Sequence, residues 1–243
     1  MRATLPGFVV TTLTVFLLAP ALSLASVPAA TTAQPAPAAV TATPAAATSP
    51  SPAPAAPQPA VDKSHRLVKI ETNMGDIVVQ LDAVSAPLSV KNFLAYVKGR
   101  YYDGSGFYRV VPGFVIQGGD FTSDLTYHQP KHPPIPNECG NGLPNQRGSL
   151  ALARDTYPHS ATSAFYINLA DNTQRLGAYP GHWCYAVFGQ VVAGLDVVDK
   201  IATVPTGTVT LMDKENSTFK DVPKTAVKIL KVTLLPLSDA GKP

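Results

Sequence analysis

Two polar side chains in an otherwise apolar stretch are the first residues in this sequence that could do chemistry. In FYRVVPGFVIQGGDF (107–121), Arg109 and Gln117 stand among valines and phenylalanines. A buried guanidinium needs a charge partner or several acceptors, whereas one on a shallow apolar surface needs solvent on one side only. The amide oxygen of Gln117 can accept a hydrogen bond from Arg109. The pattern fits a rigid cation presented beside apolar rings or a plain solvent-facing strand arginine, and on its own leaves both open.

The elements that position these residues are two short strands joined around Pro112-Gly113. Strict alternation along the first strand predicts one face with Phe107, Arg109 and Val111 and the opposite face with Tyr108 and Val110. We expect Phe114 to belong to the turn, because alternation would otherwise put it on the face opposite to Gln117.

The flanking sequence predicts a mainly β domain with two helices. Alternation in residues 67–81 indicates a β-hairpin. A first helix begins at Pro87 and ends at Gly99, with an apolar stripe made by Val90, Phe93, Leu94 and Val97. A second helix is predicted in GLDVVDKIA, with Val197, Val198 and Ile201 inward. Many short strands with two helices indicate one barrel or sandwich with helices attached.

The N-terminus has the layout of a secretory signal peptide, which we place at residues 1–25. A short basic start precedes an apolar run from Phe8 to Ala19, and small residues follow. The alternative is an uncleaved anchor, but the run is short for a spanning helix and Pro20 interrupts it, which favours cleavage. We therefore expect an exported protein.

Residues 26–62 are rich in Ala and Pro and carry almost no charge, which predicts a disordered, semi-extended linker. The folded domain is expected at 63–237, followed by a tail at 238–243.

Charge and the remaining reactive side chains exclude several functions. The 19 Lys and Arg nearly balance 16 Asp and Glu and form no long run, so nucleic acid is not an expected partner. Cys139 and Cys184 could form a disulfide in an oxidising compartment or remain two separate buried thiols. His128 and His132 match no strong zinc pattern, so no metal site is expected.

The stretch at 107–121 resembles the signature of the cyclophilin family of peptidyl-prolyl cis–trans isomerases, F-[HY]-R-V-[IV]-P-G-F-x-[IV]-Q-G-G-D-F. The segments NQRGSLALAR (145–154), SATSAFYINLADN (160–172) and YAVFGQVVAGLDVVDKI (185–201) resemble further motifs of the family. The resemblance covers residues 66–236. The short loop ending in PPIPNECGNGL is similar to that of the bacterial periplasmic branch.

The resemblance implies a closed eight-stranded antiparallel β-barrel capped by two α-helices, with the active groove outside the barrel. It implies rotation of Xaa–Pro bonds in secreted or periplasmic polypeptides, which assists their folding. No cofactor or metal is implied. The partners would be unfolded or nascent exported chains that contain proline. We expect a monomer that does not contact a membrane unless the signal segment is retained as an anchor.

The resemblance also implies roles for individual residues. Arg109 takes the place of the catalytic arginine, and Gln117 orients it and contacts the substrate backbone. The substrate-binding residues implied by position are Phe114, Val115, Ala153, Arg154, Tyr166, Leu176 and Tyr185.

Departures from the family pattern concern substrate and drug binding. Ala164 replaces a glutamine that binds the substrate backbone. The family tryptophan that helps to bind cyclosporin is absent, and Gln174 or Arg175 lies near its position; Trp183 belongs to a different insertion. We therefore predict weak inhibition by cyclosporin. The alternative to an active isomerase is a module that holds proline segments with little turnover.

Overall fold

The structure is a computed structural model that describes residues 66–179, 182–211 and 217–236. The strands are β1 Arg66–Thr72, β2 Gly75–Leu81, β3 Arg109–Val111, β4 Val115–Gly118, β5 Ser149–Leu152, β6 Phe165–Asn168, β7 Val187–Ala193, β8 Thr206–Thr210, β9 Thr218–Pro223 and β10 Ile229–Leu234. The helices are α1 Pro87–Lys98, α2 Thr173–Leu176 and α3 Leu195–Ala202. The predicted signal peptide, the linker and the C-terminal tail lie outside the described residues.

Eight of the strands form one antiparallel sheet in the order β10-β1-β2-β7-β5-β6-β4-β3, and β8 pairs with β9 in a separate ribbon. The chain segments that precede β3 and β10 bring the two ends of the sheet together. The amide of Phe107 donates to the carbonyl of Val227 at 2.9 Å, and Ile229 donates to Ser105 at 2.8 Å. The sheet therefore curls toward a barrel, but its end strands β3 and β10 do not pair with each other, so the predicted closure of the barrel is not shown. The prediction of a mainly β, eight-stranded antiparallel fold is confirmed.

The predicted hairpin is β1 and β2, whose alternate side chains fill the barrel. Val68 lies opposite Val79 and Ile70 lies opposite Ile77, and none of these four side chains is exposed. Strand alternation sends their neighbours outward, so one face of the hairpin builds the core.

Helix α1 covers one side of the barrel with the apolar stripe predicted from its sequence. Val90, Phe93 and Val97 are buried, and the backbone amide of Gly99 caps the last turn. At the other end, Ala86 offers no capping side chain. Free amides at a helix start need acceptors.

The carboxylate of Glu138 supplies those acceptors from a distant part of the chain. It accepts hydrogen bonds from the amides of Leu88 at 2.8 Å and Ser89 at 2.7 Å, and from the Ser89 hydroxyl at 2.7 Å. A negative charge at a helix N-terminus also stabilises the helix dipole. The long loop that carries Glu138 is thereby tied to α1.

Helix α3 is the second predicted helix, and its inward residues Val197, Val198 and Ile201 are buried as expected. The structure adds α2, a single four-residue turn that the sequence did not indicate. None of the helices in the described ranges has the length and hydrophobicity needed to cross a membrane.

The predicted alternation around Arg109 is correct only within β3. Phe107 was expected on the face of Arg109, but it is 1% exposed and packs in the barrel core with Val110. Strand β3 begins at Arg109, and Phe107 precedes it in a segment paired with Val227. Alternation cannot be extended across the point where the chain changes its partner.

Candidate active site

A row of directly opposed residues crosses five neighbouring strands on the outside of the barrel. Arg109 lies opposite Gln117, and Gln117 lies opposite Tyr166. The row continues through Ala151 to Val187. Because directly opposed side chains of a sheet emerge on the same face, these five form one continuous strip.

The polar end of this strip is the pair Arg109 and Gln117. Arg109 Nη1 donates a hydrogen bond of 3.3 Å to Oε1 of Gln117. Both side chains are half-buried. The guanidinium is therefore oriented by an amide and remains accessible, as the cyclophilin resemblance implies.

Tyr108 completes the polar network, and the sequence did not indicate this role. Nε2 of Gln117 donates to the Tyr108 hydroxyl at 2.6 Å. Burial raises the pKa of Tyr108 well above its ordinary range, so the hydroxyl keeps its proton. Gln117 thus accepts from Arg109 and donates to Tyr108, which fixes the direction of its amide.

The carboxyl of Asp120 interacts with the side chain of Tyr108. Burial raises the pKa of its carboxyl from 3.8 to about 7, although a hydrogen bond with the Tyr108 side chain opposes that rise. Its Oδ1 is enclosed and has no hydrogen-bond partner among the described residues. When ionised, the Asp120 carboxylate can accept a hydrogen bond from the Tyr108 hydroxyl, which keeps its own proton.

Two glycines directly after Gln117 permit close approach of other chain segments beside the site. A Cβ on Gly118 would stand 2.5 Å from the carbonyl oxygen of Gly106. Gly119 has a φ of +108°, and a Cβ there would stand 2.8 Å from the carbonyl oxygen of Ser163. Only glycine fits these positions without displacing backbone.

The apolar part of the site is a small cluster of side chains separate from the barrel core. Its buried members are Phe114, Val115, Ala151, Tyr166, Leu176 and Val187, and Val111, Leu143, Ala153 and Tyr185 pack against them. This cluster contains six of the seven substrate-binding residues predicted from the sequence; the seventh, Arg154, contacts its edge through the ring of Tyr185.

Phe114 is held by its backbone in the turn between β3 and β4, where the sequence predicts it. Its carbonyl accepts hydrogen bonds of 2.8 Å from the amide of Leu169 and from Nδ2 of Asn172. Its own amide donates to Val111 at 3.0 Å. These three bonds fix the position of the Phe114 backbone.

A set of buried asparagines supports the cluster from below. The Tyr166 hydroxyl donates to Oδ1 of Asn145 at 2.8 Å, and Nδ2 of Asn168 donates to the same oxygen at 3.1 Å. Nδ2 of Asn172 donates to Oδ1 of Asn168 at 2.8 Å. A buried tyrosine hydroxyl needs such a partner, and Asn145 explains why tyrosine is accommodated at position 166.

Arg154 and Ala153 lie beside the cluster and are partly committed to the protein. The Arg154 guanidinium carbon is 4.3 Å from the centre of the Tyr185 ring. Its Nη atoms donate to the carbonyls of Asp155 and Trp183. The amide of Ala153 donates to the carbonyl of Ala164 at 2.9 Å, so among its backbone groups only the carbonyl could bind a substrate chain.

Arg175, one of the two residues near the position of the family tryptophan, lies against the pocket. Its guanidinium carbon is 4.0 Å from the centre of the Phe114 ring. Trp183 is 56% exposed and its ring packs against His159, so it does not substitute for that tryptophan.

Cys139 and Cys184 form a disulfide, with an S–S distance of 2.04 Å and a Cα–Cα distance of 5.4 Å. Nδ2 of Asn137 donates to the carbonyl of Cys184 at 2.9 Å. The loop is thus joined to the residue that precedes Tyr185. The sequence left this pairing open, because it does not give the distance between two Cα atoms.

The described residues contain no group of three or more His, Cys, Asp or Glu side chains placed to hold a metal ion. The site instead offers an oriented guanidinium, an amide and an apolar pocket wall. This arrangement can hold an apolar ring and direct hydrogen-bond donors at its edge.

Comparison with known proteins identifies the class. Residues 67–234 match the family model described as cyclophilin type peptidyl-prolyl cis-trans isomerase/CLD. The chain is 45% identical over 177 residues to a peptidyl-prolyl cis-trans isomerase of Acinetobacter baylyi, covering 73% of this chain and 89% of that protein. It is also 45% identical over 170 residues to peptidyl-prolyl cis-trans isomerase B of Escherichia coli, covering 69% and 99%.

The fold agrees with this assignment. A cyclophilin-type isomerase of Cryptosporidium parvum, crystallised in the presence of the dipeptide Ala-Pro, matches with a TM-score of 0.57 and 25% identity, covering 70% of this chain and 99% of that one. The chain belongs to the cyclophilin-type peptidyl-prolyl cis–trans isomerase family. Enzymes of this family act on proline-containing polypeptides.

Proposed function

We propose that this protein is an exported cyclophilin of the bacterial periplasmic kind, which accelerates Xaa–Pro rotation in secreted chains and so assists their folding. The observation that carries the proposed site is the hydrogen-bonded pair of Arg109 and Gln117 beside the apolar cluster around Phe114. The N-terminal sequence supports export, because its basic start and short apolar run are typical of a signal peptide.

The chemistry required is lowering the barrier to amide rotation. Amide resonance makes that barrier about 18–20 kcal/mol. In the twisted state the proline nitrogen becomes pyramidal and can accept a hydrogen bond, whereas in the planar state its lone pair is delocalised. A donor aimed at that nitrogen therefore stabilises the transition state more than the substrate.

In this mechanism Arg109 is the catalytic residue and donates toward the proline nitrogen. Arginine suits the task because it is always charged and has several donors in one plane. Gln117 holds the guanidinium and contacts the substrate backbone. Phe114, Val115, Tyr166 and Leu176 form the wall for the proline ring, with Tyr185 at its edge.

A second candidate is a module that binds proline segments with little turnover. Ala164 lacks the amide side chain that the family uses to bind the substrate backbone, and its carbonyl is bonded to the amide of Ala153. Weaker hold on the substrate chain would reduce turnover more than it reduces contact with the proline ring. In this candidate the pocket still binds the proline ring, but the rate of cis–trans isomerisation is low.

One assay separates the two candidates. The cis–trans exchange of an Ala-Pro peptide is followed in the presence of the full chain by a protease-coupled assay. Acceleration supports the isomerase. Peptide binding without acceleration supports the holding module and contradicts the isomerase mechanism.

Export is tested by a separate measurement. The protein is expressed in a bacterium with an outer membrane and the cell is fractionated. A periplasmic product that begins close to residue 26 supports the proposal. A cytoplasmic product with an intact N-terminus would contradict it, and a membrane-bound one with an intact N-terminus would indicate an anchor.

A further inference from the structure

The edge of the pocket carries three guanidinium groups. We call Arg109, Arg154 and Arg175 the arginine rim. Arg109 adjoins Gln117, Arg154 stacks on Tyr185, and Arg175 lies over Phe114. Among the described residues, no carboxylate lies within ion-pair distance of any of the three. The ion pairs in that part of the chain are made by Lys69, Arg147 and Lys200.

Arg175 differs from Arg109 and Arg154 because the N–H groups of its side chain donate to no described residue. The residue is exposed, and no described residue accepts a hydrogen bond from its side chain. Its contact with Phe114 puts the guanidinium carbon 4.0 Å from the ring centre. At that distance above a ring, the guanidinium is held by its cation–π attraction while its N–H groups remain available to a ligand.

A guanidinium held in this way is preorganised to bind a carboxylate. Five N–H donors in one plane match the two oxygens of a carboxylate in a bidentate pair. The stack on Phe114 removes part of the side-chain freedom that an exposed arginine would otherwise lose on binding.

The acidic residues nearest in sequence to Arg175 and Arg154 are Asp171 and Asp155, and their carboxylates bind backbone amides of nearby residues. Hydrogen bonds with the side chain of Thr173 and with its amide, which donates to Asp171 Oδ1 at 2.9 Å, lower the pKa of Asp171. Asp155 Oδ1 accepts from the amide of Tyr157 at 2.8 Å. Each carboxylate therefore serves a local turn.

We propose that Arg175 is a specificity-determining residue that selects Xaa–Pro segments with an acidic side chain immediately before or after the proline. The proposal rests on the proposed use of Phe114 as a wall for the proline ring. A residue adjacent to that proline has its Cα about 3.8 Å from the proline Cα across a trans bond and about 2.9 Å across a cis bond, so we expect an Asp or Glu side chain there to reach the guanidinium over Phe114.

The test uses the full chain and peptides Ala-Xaa-Pro-Yaa with Glu, Gln or Lys at one variable position. Exchange NMR gives kcat/KM without a coupling protease. We expect the Glu peptide to exceed its Gln counterpart by about fivefold at low salt for at least one position, with the ratio falling as salt is added. Arg175→Gln should bring that ratio to about one, and Arg175→Glu should make Lys preferred over Gln.

The matched control is Arg66→Gln, which removes an exposed positive charge at the start of β1. It should keep the preference for Glu. Acceleration of the Gln peptides with no preference for Glu at either position would overturn the inference and leave the isomerase intact. So would a preference that survives Arg175→Gln. Absence of acceleration for every peptide would instead contradict the proposed function on which the inference rests.

Discussion

Gln117 donates to the hydroxyl of Tyr108 at 2.6 Å through the same amide whose oxygen accepts from Arg109. The amide can satisfy both partners in one orientation only, with its nitrogen toward Tyr108. Tyr108 is therefore linked through Gln117 to Arg109, the proposed catalytic residue, and we expect it to act as a positioning residue.

Replacing Arg109 by alanine should reduce kcat/KM for an Ala-Pro peptide by about 100-fold or more, since it removes a donor used in the transition state. Arg109→Lys should recover little, because a lysine cannot present donors in a fixed plane. Circular dichroism should show an unchanged fold, because Arg109 is half-buried on the outer face. Full activity in Arg109→Ala would refute the mechanism.

Replacing Tyr108 by phenylalanine should reduce kcat/KM by about three- to tenfold, because Gln117 loses the acceptor that fixes its amide. The effect should be non-additive with Gln117→Ala, which a double-mutant cycle measures. Tyr127→Phe removes a hydroxyl from a more exposed tyrosine of the neighbouring loop and should leave activity unchanged. Additive losses would show that Tyr108 does not act through Gln117.

The stability of the protein should fall as pH rises from about 4 to about 7, because of Asp120. Its pKa is 3.8 ordinarily and about 7 in the fold, so the folded state holds a proton that the unfolded state releases in this window. This stabilisation is complete below pH 4 and absent above pH 7, with a size on the order of 4 kcal/mol at most.

Urea unfolding of the wild type and Asp120→Asn at several pH values isolates this contribution. The variant cannot titrate there, so its stability should decline less between pH 4 and 7. The groups that interact with this carboxyl are Tyr101, Tyr102, Tyr108 and Tyr127, which all remain protonated in this window. Identical pH profiles for the two proteins would show that Asp120 titrates normally.

Reducing the disulfide should destabilise the fold by about 4 kcal/mol, the loop-closure value for the 45-residue separation of Cys139 and Cys184. Thermal unfolding with and without dithiothreitol measures this loss. The variant with both cysteines replaced by serine should have the same stability as the reduced protein, and dithiothreitol should not change it. A wild type equally stable in both conditions would contradict the structural role.

Cyclosporin should inhibit weakly, with a micromolar or higher inhibition constant, because neither Gln174 nor Arg175, the two residues near the position of the family tryptophan, offers an indole surface. Arg175→Trp should lower the inhibition constant at least tenfold, because the Arg175 side chain lies over the Phe114 ring. Gln174→Trp, at the neighbouring exposed position, should have a smaller effect. Nanomolar inhibition of the wild type would show that another residue replaces the indole.

The parts of the fold that the sequence predicted are those set by local periodicity. The hairpin of β1 and β2 and the apolar faces of α1 and α3 follow from residue spacing alone. The pairing of Arg109 with Gln117 also follows locally, because the turn at Pro112-Gly113 fixes the register of β3 with β4.

The parts that the sequence could not predict depend on distant segments. Phe107 turns into the core because it pairs with Val227, which is 120 positions later in the chain. Support of Tyr166 by Asn145 requires knowing that β5 and β6 are neighbours. Isolated polar residues in loops give no periodic signal, so the role of Asn145 was not predicted.

The capping of α1 by Glu138 bears on the order in which the chain folds. Ala86 cannot cap the helix, and the carboxylate that does so is 49 residues from Ser89. The first turn of α1 therefore gains its acceptors only after the loop has docked. Because Glu138 is adjacent to Cys139, the oxidation that joins Cys139 to Cys184 also holds the cap in place. Disulfide formation should therefore favour formation of the first turn of α1, because it restrains the residue next to the one that caps it.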